Sequence, residues 1–175
     1  MKRILIMLAA PLICALSGFA QNQKSEAAKD WIDQWKIATD QLIRVAEAMP
    51  AEKYDYKPVK EVGAFGDQLK HAGIAMCILL ANAEGKKVEI KDVMLDRLKT
   101  KEEIIAELRK IAGEGAAVIN RVAGKSDGAV VESQFFGKTT RRFLLIQAIA
   151  HNNNHYGQLV YYLRLNGITP PASRG

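Results

Sequence analysis

Cysteine is nearly absent from this sequence, which has only Cys14 and Cys77 among 175 residues. Cys14 lies in an N-terminal apolar segment that we expect to be removed, so Cys77 would be the only thiol of the mature chain. One cysteine cannot form an internal disulfide, even in an oxidising compartment. The mature protein must therefore be stabilised by packing, and by any metal that it binds.

Long apolar runs are missing beyond residue 20, and the first twenty residues read as a signal peptide. Lys2 and Arg3 give a positive start, and the chain is then apolar from Ile4 to Phe19 apart from one serine. The small residues of Gly18-Phe19-Ala20 suit a signal peptidase. For a bacterial chain we therefore expect export to the periplasm or the exterior.

Two alternatives to cleavage concern the same segment. A retained membrane anchor is disfavoured because the apolar stretch is shorter than the roughly 20 residues that cross a bilayer, and Pro11 interrupts it. A lipoprotein site at Cys14 is disfavoured because Ile13 precedes it, where such sites have a small residue. Residues 21–175 are expected to form one domain, with no membrane association after signal cleavage.

A cluster of positive charge is also missing. The net charge of +6 falls to +4 without Lys2 and Arg3, and the other basic residues are scattered among acidic ones. Nucleic-acid-binding proteins usually carry a basic stripe or basic residues interleaved with aromatics. The nearest group here, Lys138 with Arg141 and Arg142, lies at a predicted helix start. We expect no nucleic-acid partner.

What the sequence does have is helical periodicity in four segments, with no internal repeat and no convincing strand alternation. Thr100 and Glu103 form a capping-box signature, and Thr139 or Thr140 caps the last helix. The predicted helices cover about residues 26–48, 65–83, 100–122 and 140–166. This pattern predicts an all-α four-helix bundle.

Two of the connections are long. Residues 85–99, between the second and third helices, exceed a tight turn and permit a crossover in place of a plain up-and-down order. Residues 124–138 read as a polar loop that carries an apolar patch, Phe135 and Phe136. These two phenylalanines are more often core or pocket wall than part of a cofactor site.

The chain has only three histidines, His71, His151 and His155. His151 and His155 are four residues apart, so their imidazoles share one face of the fourth helix, one turn apart. That face also carries Leu144, Ala148, Leu159 and Tyr162, which should point into the bundle. His71 lies in a mostly apolar stretch of the second helix.

Two interpretations fit inward histidines. Each could be a hydrogen-bonded core residue, which is the commoner fate of a lone buried histidine. Alternatively, His71, His151 and His155 together bind a divalent transition metal, since neutral imidazoles suit zinc, nickel, copper and iron, and three of them leave positions for water or substrate. Because every histidine of the chain falls on an inferred inward surface, the metal site is favoured.

The fourth-helix stretch from Ala150 to Leu159, which reads AHNNNHYGQL, resembles the DinB family. The likeness continues through Tyr162-Leu163-Arg164 to Pro170-Pro171, and the stretch from Lys53 to His71 is similar to the family's second-helix motif. The resemblance implies an up-down-down-up four-helix bundle with a long crossover between the second and third helices. It also implies zinc or nickel bound by one histidine of the second helix and two of the fourth, and all three are present.

The resemblance implies several functions rather than one. Some DinB members are transferases or isomerases that use low-molecular-weight thiols, and others are described as metal-dependent hydrolases. We therefore expect either such an enzyme acting on a small molecule or a non-catalytic, stress-related bundle whose metal is structural. A third alternative is an interaction module without metal. A homodimer is compatible with the apolar helix faces that small bundles leave uncovered.

Residues that could assist a reaction are few. No Glu or Asp accompanies the histidine pair as in an H-E-x-x-H protease, so that mechanism is disfavoured. Asp67, one turn before His71, and Gln158, three residues after His155, are the weak catalytic candidates. Asp67 could instead be a helix cap, and Gln158 could instead orient an imidazole.

Overall fold

Four α-helices and one short β-hairpin form the part of the chain that the structure, a computed structural model, describes: the backbone of residues 10–90 and 93–174. The elements are α1 (Ala10–Ala48), α2 (Phe65–Ala83), α3 (Lys101–Ser126), β1 (Val130–Ser133), β2 (Gly137–Thr140) and α4 (Arg141–Leu165). Short 3-10 turns occupy Ala51–Lys53, Met94–Arg97 and Pro171–Ser173. The predicted four-helix bundle is confirmed.

Capping explains where α3 and α4 begin. The Thr100 hydroxyl accepts a hydrogen bond from the N–H of Glu103 at 3.2 Å, and the Glu103 carboxylate accepts one from the N–H of Thr100 at 3.0 Å. The hydroxyl of Thr140 accepts the N–H of Phe143 in the same way at 3.2 Å. These bonds satisfy amides that the first helical turn leaves without partners.

The start of α2 depends on the loop before it, because its N-cap residue Ala64 offers no side-chain bond. The carbonyls of Tyr56 and Tyr54 accept the N–H groups of Phe65 and Gly66 instead, at 3.1 and 2.8 Å. The helix covers the predicted residues and ends before Gly85, whose φ of 81° reverses the chain.

The first helix was expected to begin near residue 26, and this boundary was wrong. The described part of α1 starts at Ala10 and continues without a break to Ala48. No proline separates residues 12–25 from the bundle helix, and the helix continues through them with the single glycine, Gly18, inside it. The first nine residues of the predicted signal peptide 1–20 lie outside the described residues. Within the described ranges, no helix is both long enough and apolar enough to cross a membrane.

The absence of strands was also a wrong expectation. Within the predicted polar loop 124–138 and just beyond it, β1 and β2 pair antiparallel, with Val130 opposite Thr140 and Ser133 opposite Gly137. The hairpin is held by a tertiary contact, because the amide of fully buried Asn82 on α2 accepts the N–H of Gln134 at 3.0 Å. Four-residue strands fixed in this way show little alternation of their own.

Hydrogen bonds between elements fix the direction of the first and third helices. The ammonium of Lys101, at the start of α3, donates to the carbonyl of Met49 just beyond the end of α1, at 2.8 Å. Further along, the indole N–H of Trp35 donates to the carbonyl of Ala112 at 2.8 Å. The two helices therefore run antiparallel.

The second helix runs alongside the third and opposite to the fourth. Glu84, at the end of α2, bonds the Arg121 guanidinium near the end of α3 at 2.8 Å, so these helices are parallel. The hydroxyl of Tyr162, late in α4, donates to the carbonyl of Gly63, just before α2, at 2.7 Å. Residues 84–100 must then return along the length of the bundle, which confirms the up-down-down-up order with its crossover.

The core lies between the four helices. α1 packs mainly on α3 and α4, and α2 packs mainly on α4 and α3. The predicted inward residues of α4 are buried as expected: Leu144, Ala148, Leu159 and Tyr162. This packing brings the middle of α4 against the first half of α2, where the histidines lie.

Candidate metal centre

The three histidines meet at the seam between α2 and α4. The ring centroids of His151 and His155 are 4.5 Å apart, and those of His71 and His151, and of His71 and His155, are 5.3 and 5.0 Å apart. One nitrogen of each ring lies within 4.8 Å of those of the other two. A tetrahedral zinc site places such nitrogens about 3.4 Å apart, so small side-chain rotations bring all three to bonding distance.

Burial of the three side chains differs. His155 is 6% exposed and His151 is partly buried, whereas His71 is exposed. The sequence had placed His71 in apolar surroundings, and the exposure corrects this. His71 extends from α2 over the outer edge of the seam to the pair on α4. The cluster is therefore closed toward the core and open toward solvent at His71.

Two imidazole nitrogens have no hydrogen-bond partner among the described residues: Nε2 of His151 and Nδ1 of His155, both buried. Burying such a group without a partner costs on the order of 1–3 kcal/mol. Where the unpartnered nitrogen is itself a ligand, a bound metal removes this cost. Where the other nitrogen of the ring is the ligand, the metal fixes the tautomer of the ring. The donor set thus fits a divalent transition metal.

The histidines of α4 are held in the neutral form. Burial, and to a smaller extent the neighbouring His151 and His71, lower the pKa of His155 to about 4. Burial also lowers the pKa of His151, with a smaller contribution from His71. Neutral imidazole is the form that binds metals, so no proton has to leave these two rings at pH 7 before binding.

A groove of about 450 Å³ lies beside His71. Three parts of the chain line it: one face of α2, the crossover and the turn of the hairpin. The lining residues are Asp67, Lys70, His71, Ile74, Ala75, Ile78, Ile90 and Phe135. The sequence had suggested Phe135 as core or pocket wall. The sequence did not predict Lys70 or Ile90 as lining residues. The other lining residues of α2 follow one another at intervals of four, three and four residues, which is typical of one helix face: Asp67, His71, Ile74 and Ile78.

The two catalytic candidates lie in different surroundings. Asp67 is in the first turn of α2, lines the groove and forms an ion pair with Lys70 at 3.1 Å. The N-cap of the helix is Ala64, so Asp67 is not the cap. Gln158 is exposed on α4 and donates to the side chain of Asn154 at 3.1 Å.

Cys77 is the only thiol whose side chain the structure describes. It lies on α2 and is partly buried, and burial raises its pKa to about 11. A thiol with that pKa is protonated at neutral pH and is a poor nucleophile. Cys77 is therefore not a candidate for the reactive thiolate of this site.

A comparison with known protein families matches residues 22–174 to the DinB family. Among solved structures, the chain is similar to a DinB-like protein from Bacillus cereus, with 18% identity, a TM-score of 0.70, and coverage of 82% of this chain and 95% of that one. A DinB-like protein from Bacillus subtilis is similar at 19% identity and a TM-score of 0.65, with coverage of 80% and 93%. No curated protein matches the chain.

Proposed function

This chain belongs to the DinB family, and from that premise we propose that His71, His151 and His155 bind one divalent transition metal that acts on a small-molecule substrate. The observation that carries the proposal is the pair of buried imidazole nitrogens without partners beside a third, exposed histidine. Zinc or nickel suits three neutral nitrogen ligands. The N-terminal segment supports export of the protein, which we also propose.

The reaction class that we propose is hydrolysis or transfer of a substrate thiol. A metal with three neutral ligands keeps its full double charge and supplies either an acidified water, with a pKa toward roughly 7, or a site for a thiolate. The chain itself supplies a rigid donor pair in His151 and His155 and an open side at His71. The apolar walls of the groove would exclude water from the substrate.

Proton transfer would also need an acceptor. Asp67 is favoured over Gln158, because its carboxylate lines the groove one helical turn from His71. Its ion pair with Lys70 would keep the carboxylate oriented. Gln158 has an amide, which is a poor base, and lies on the exposed side of α4.

A structural role for the metal is the second candidate. The observation in its favour is that the donors come from two helices, so a bound ion would cross-link α2 to α4. A structural zinc usually has four protein ligands and no exchangeable position. The cluster has three such groups among the described residues, and the exposure of His71 favours an open position.

Elemental analysis of the mature protein tests metal binding. We expect about one metal ion per chain in the wild type and a loss of most of it in His71→Ala, a substitution at an exposed position that should leave the fold intact. Asn153→Ala is the matched control, because Asn153 is exposed on α4 between the two ligands. Equal metal content in wild type and His71→Ala would refute the site.

Cobalt substitution then separates the two roles. The visible spectrum of the Co²⁺-loaded protein should change when a small thiol is added, because a thiolate would enter an open position. A spectrum that no added ligand changes, combined with a large fall in melting temperature on metal removal, would indicate the structural role.

A further inference from the structure

The residues of α2 that line the groove beside His71 change from polar to apolar along the helix. Asp67 and Lys70 lie at one end, His71 follows, and Ile74 and Ile78 continue along the same helix face. Ile78 is 1% exposed and forms part of the floor. The groove is thus polar up to His71 and apolar beyond it.

Two large apolar side chains complete the far end of the groove. Ile90 from the crossover is 49% exposed and Phe135 from the hairpin turn is 56% exposed. Single exposed apolar residues are common on protein surfaces. Here, however, residues from three separate elements line one concave surface next to a candidate metal site, which is typical of a ligand pocket.

The charge at the polar end favours an anion. The side chain of Lys70 is only 18% exposed, and Asp67 balances its charge across 3.1 Å. A divalent metal on three neutral histidines would therefore leave this end positive. A ligand that complements the whole groove has an anionic head that binds metal and an apolar tail.

We propose that the groove is the substrate site and that it selects small amphiphilic molecules with a metal-binding anionic head and an unbranched apolar tail. The inference rests on the proposed metal function for the head, and on the groove alone for the tail. From His71 to Ile78 the helix rises about 10 Å, which accommodates a tail of about eight carbons. Phe135 and Ile90 cover its end.

A series of alkyl hydroxamates with two, four, six and eight carbons tests this proposal by calorimetric titration of the zinc-loaded protein. Affinity should rise about threefold to fourfold per methylene. Phe135→Ser and Ile90→Ser should each lower the affinity for the eight-carbon compound about tenfold and leave the two-carbon compound unchanged. Ile146→Ser is the matched control, since Ile146 is 46% exposed on α4 and does not line the groove.

A second measurement examines the tail without the metal. Addition of 1-octanol to the metal-free protein should shift the methyl resonances of Ile74, Ile78 and Ile90 and leave those of Ile146 unchanged. Lys70→Met should weaken the hydroxamates but leave octanol binding as it was, because only the head meets the charged end of the groove.

The outcomes distinguish the two claims. If the two-carbon hydroxamate does not bind, or the protein holds no metal, the proposed function fails, and octanol shifts at the groove residues would still support the tail site. If the two-carbon compound binds but affinity does not rise with chain length, the amphiphile proposal is overturned while the metal function stands. Equal losses of affinity for the eight-carbon compound in Phe135→Ser and Ile146→Ser would also overturn the amphiphile proposal.

Discussion

Gly113 and Gly115 offer a paired test of the packing between α1 and α3. Both glycines lie within α3, two residues apart, where alanine is favoured over glycine by about 1 kcal/mol. A Cβ on Gly113 would meet nothing within 4 Å. A Cβ on Gly115 would lie 2.7 Å from Cε2 of Trp35, closer still to Cζ2, and 2.9 Å from a methyl group of Leu80.

The indole cannot easily yield to such a Cβ. Trp35 is 0% exposed, and its N–H is bonded to the carbonyl of Ala112 on the same turn of α3. Overpacking a core in this way costs about 1–3 kcal/mol, and the rigid ring places Gly115→Ala at the upper end. Gly113→Ala should therefore raise the free energy of unfolding by about 1 kcal/mol, whereas Gly115→Ala should lower it by about 2 kcal/mol.

Thermal and urea denaturation of the two variants beside the wild type measure the difference. A gap of about 3 kcal/mol corresponds to a separation in melting temperature of roughly 6–12 °C for a chain of this size. Because the propensity gain is common to both variants, the gap isolates the contact with Trp35. Equal stability of Gly115→Ala and Gly113→Ala would show that the helices do not approach as closely as described.

Three further predictions concern single groups. Iodoacetamide should modify Cys77 of the folded protein at a rate that rises about tenfold per pH unit between pH 7 and 10, since the pKa of its thiol is raised to about 11. A rate that levels off near pH 9 would contradict the burial of this thiol. The pKa of Glu84 is lowered by hydrogen bonds from Arg121 and Lys86. The contribution of this carboxylate to stability is therefore complete above pH 4.5 and is lost as the pH falls further. Glu84→Gln should flatten the acid side of a profile of unfolding free energy against pH, measured by urea denaturation. Thr100→Ala should lower the free energy of unfolding by about 1 kcal/mol, and an unchanged urea midpoint would show that the capping box contributes nothing.

The parts of the fold that the sequence predicted are those with local causes. Thr100 with Glu103, and Thr140 before Phe143, are caps that act within one helical turn. The spacing of His151 and His155 fixes their common face for the same reason. The convergence of His71 with this pair required the packing of α2 on α4, and it was predicted because the chain has only three histidines and because of the family resemblance.

The parts that the sequence did not predict have non-local causes. The hairpin of β1 and β2 depends on Asn82, which lies 52 residues before the Gln134 that it bonds. The groove depends on Ile90 and Phe135, whose positions follow from the course of two connections rather than from any periodicity. The exposure of His71 is likewise a property of the helix seam, since Leu69 and Ala72 beside it in sequence are buried in the core.

The crossover has a consequence for how the chain can be divided. A cut within residues 84–100 would separate α1 and α2 from α3 and α4, yet α1 packs mainly on α3, and α2 mainly on α4. Neither fragment then holds a complete core, and the first carries His71 while the second carries His151 and His155. The two co-expressed fragments should therefore assemble only with each other, and added metal should raise the affinity of one fragment for the other.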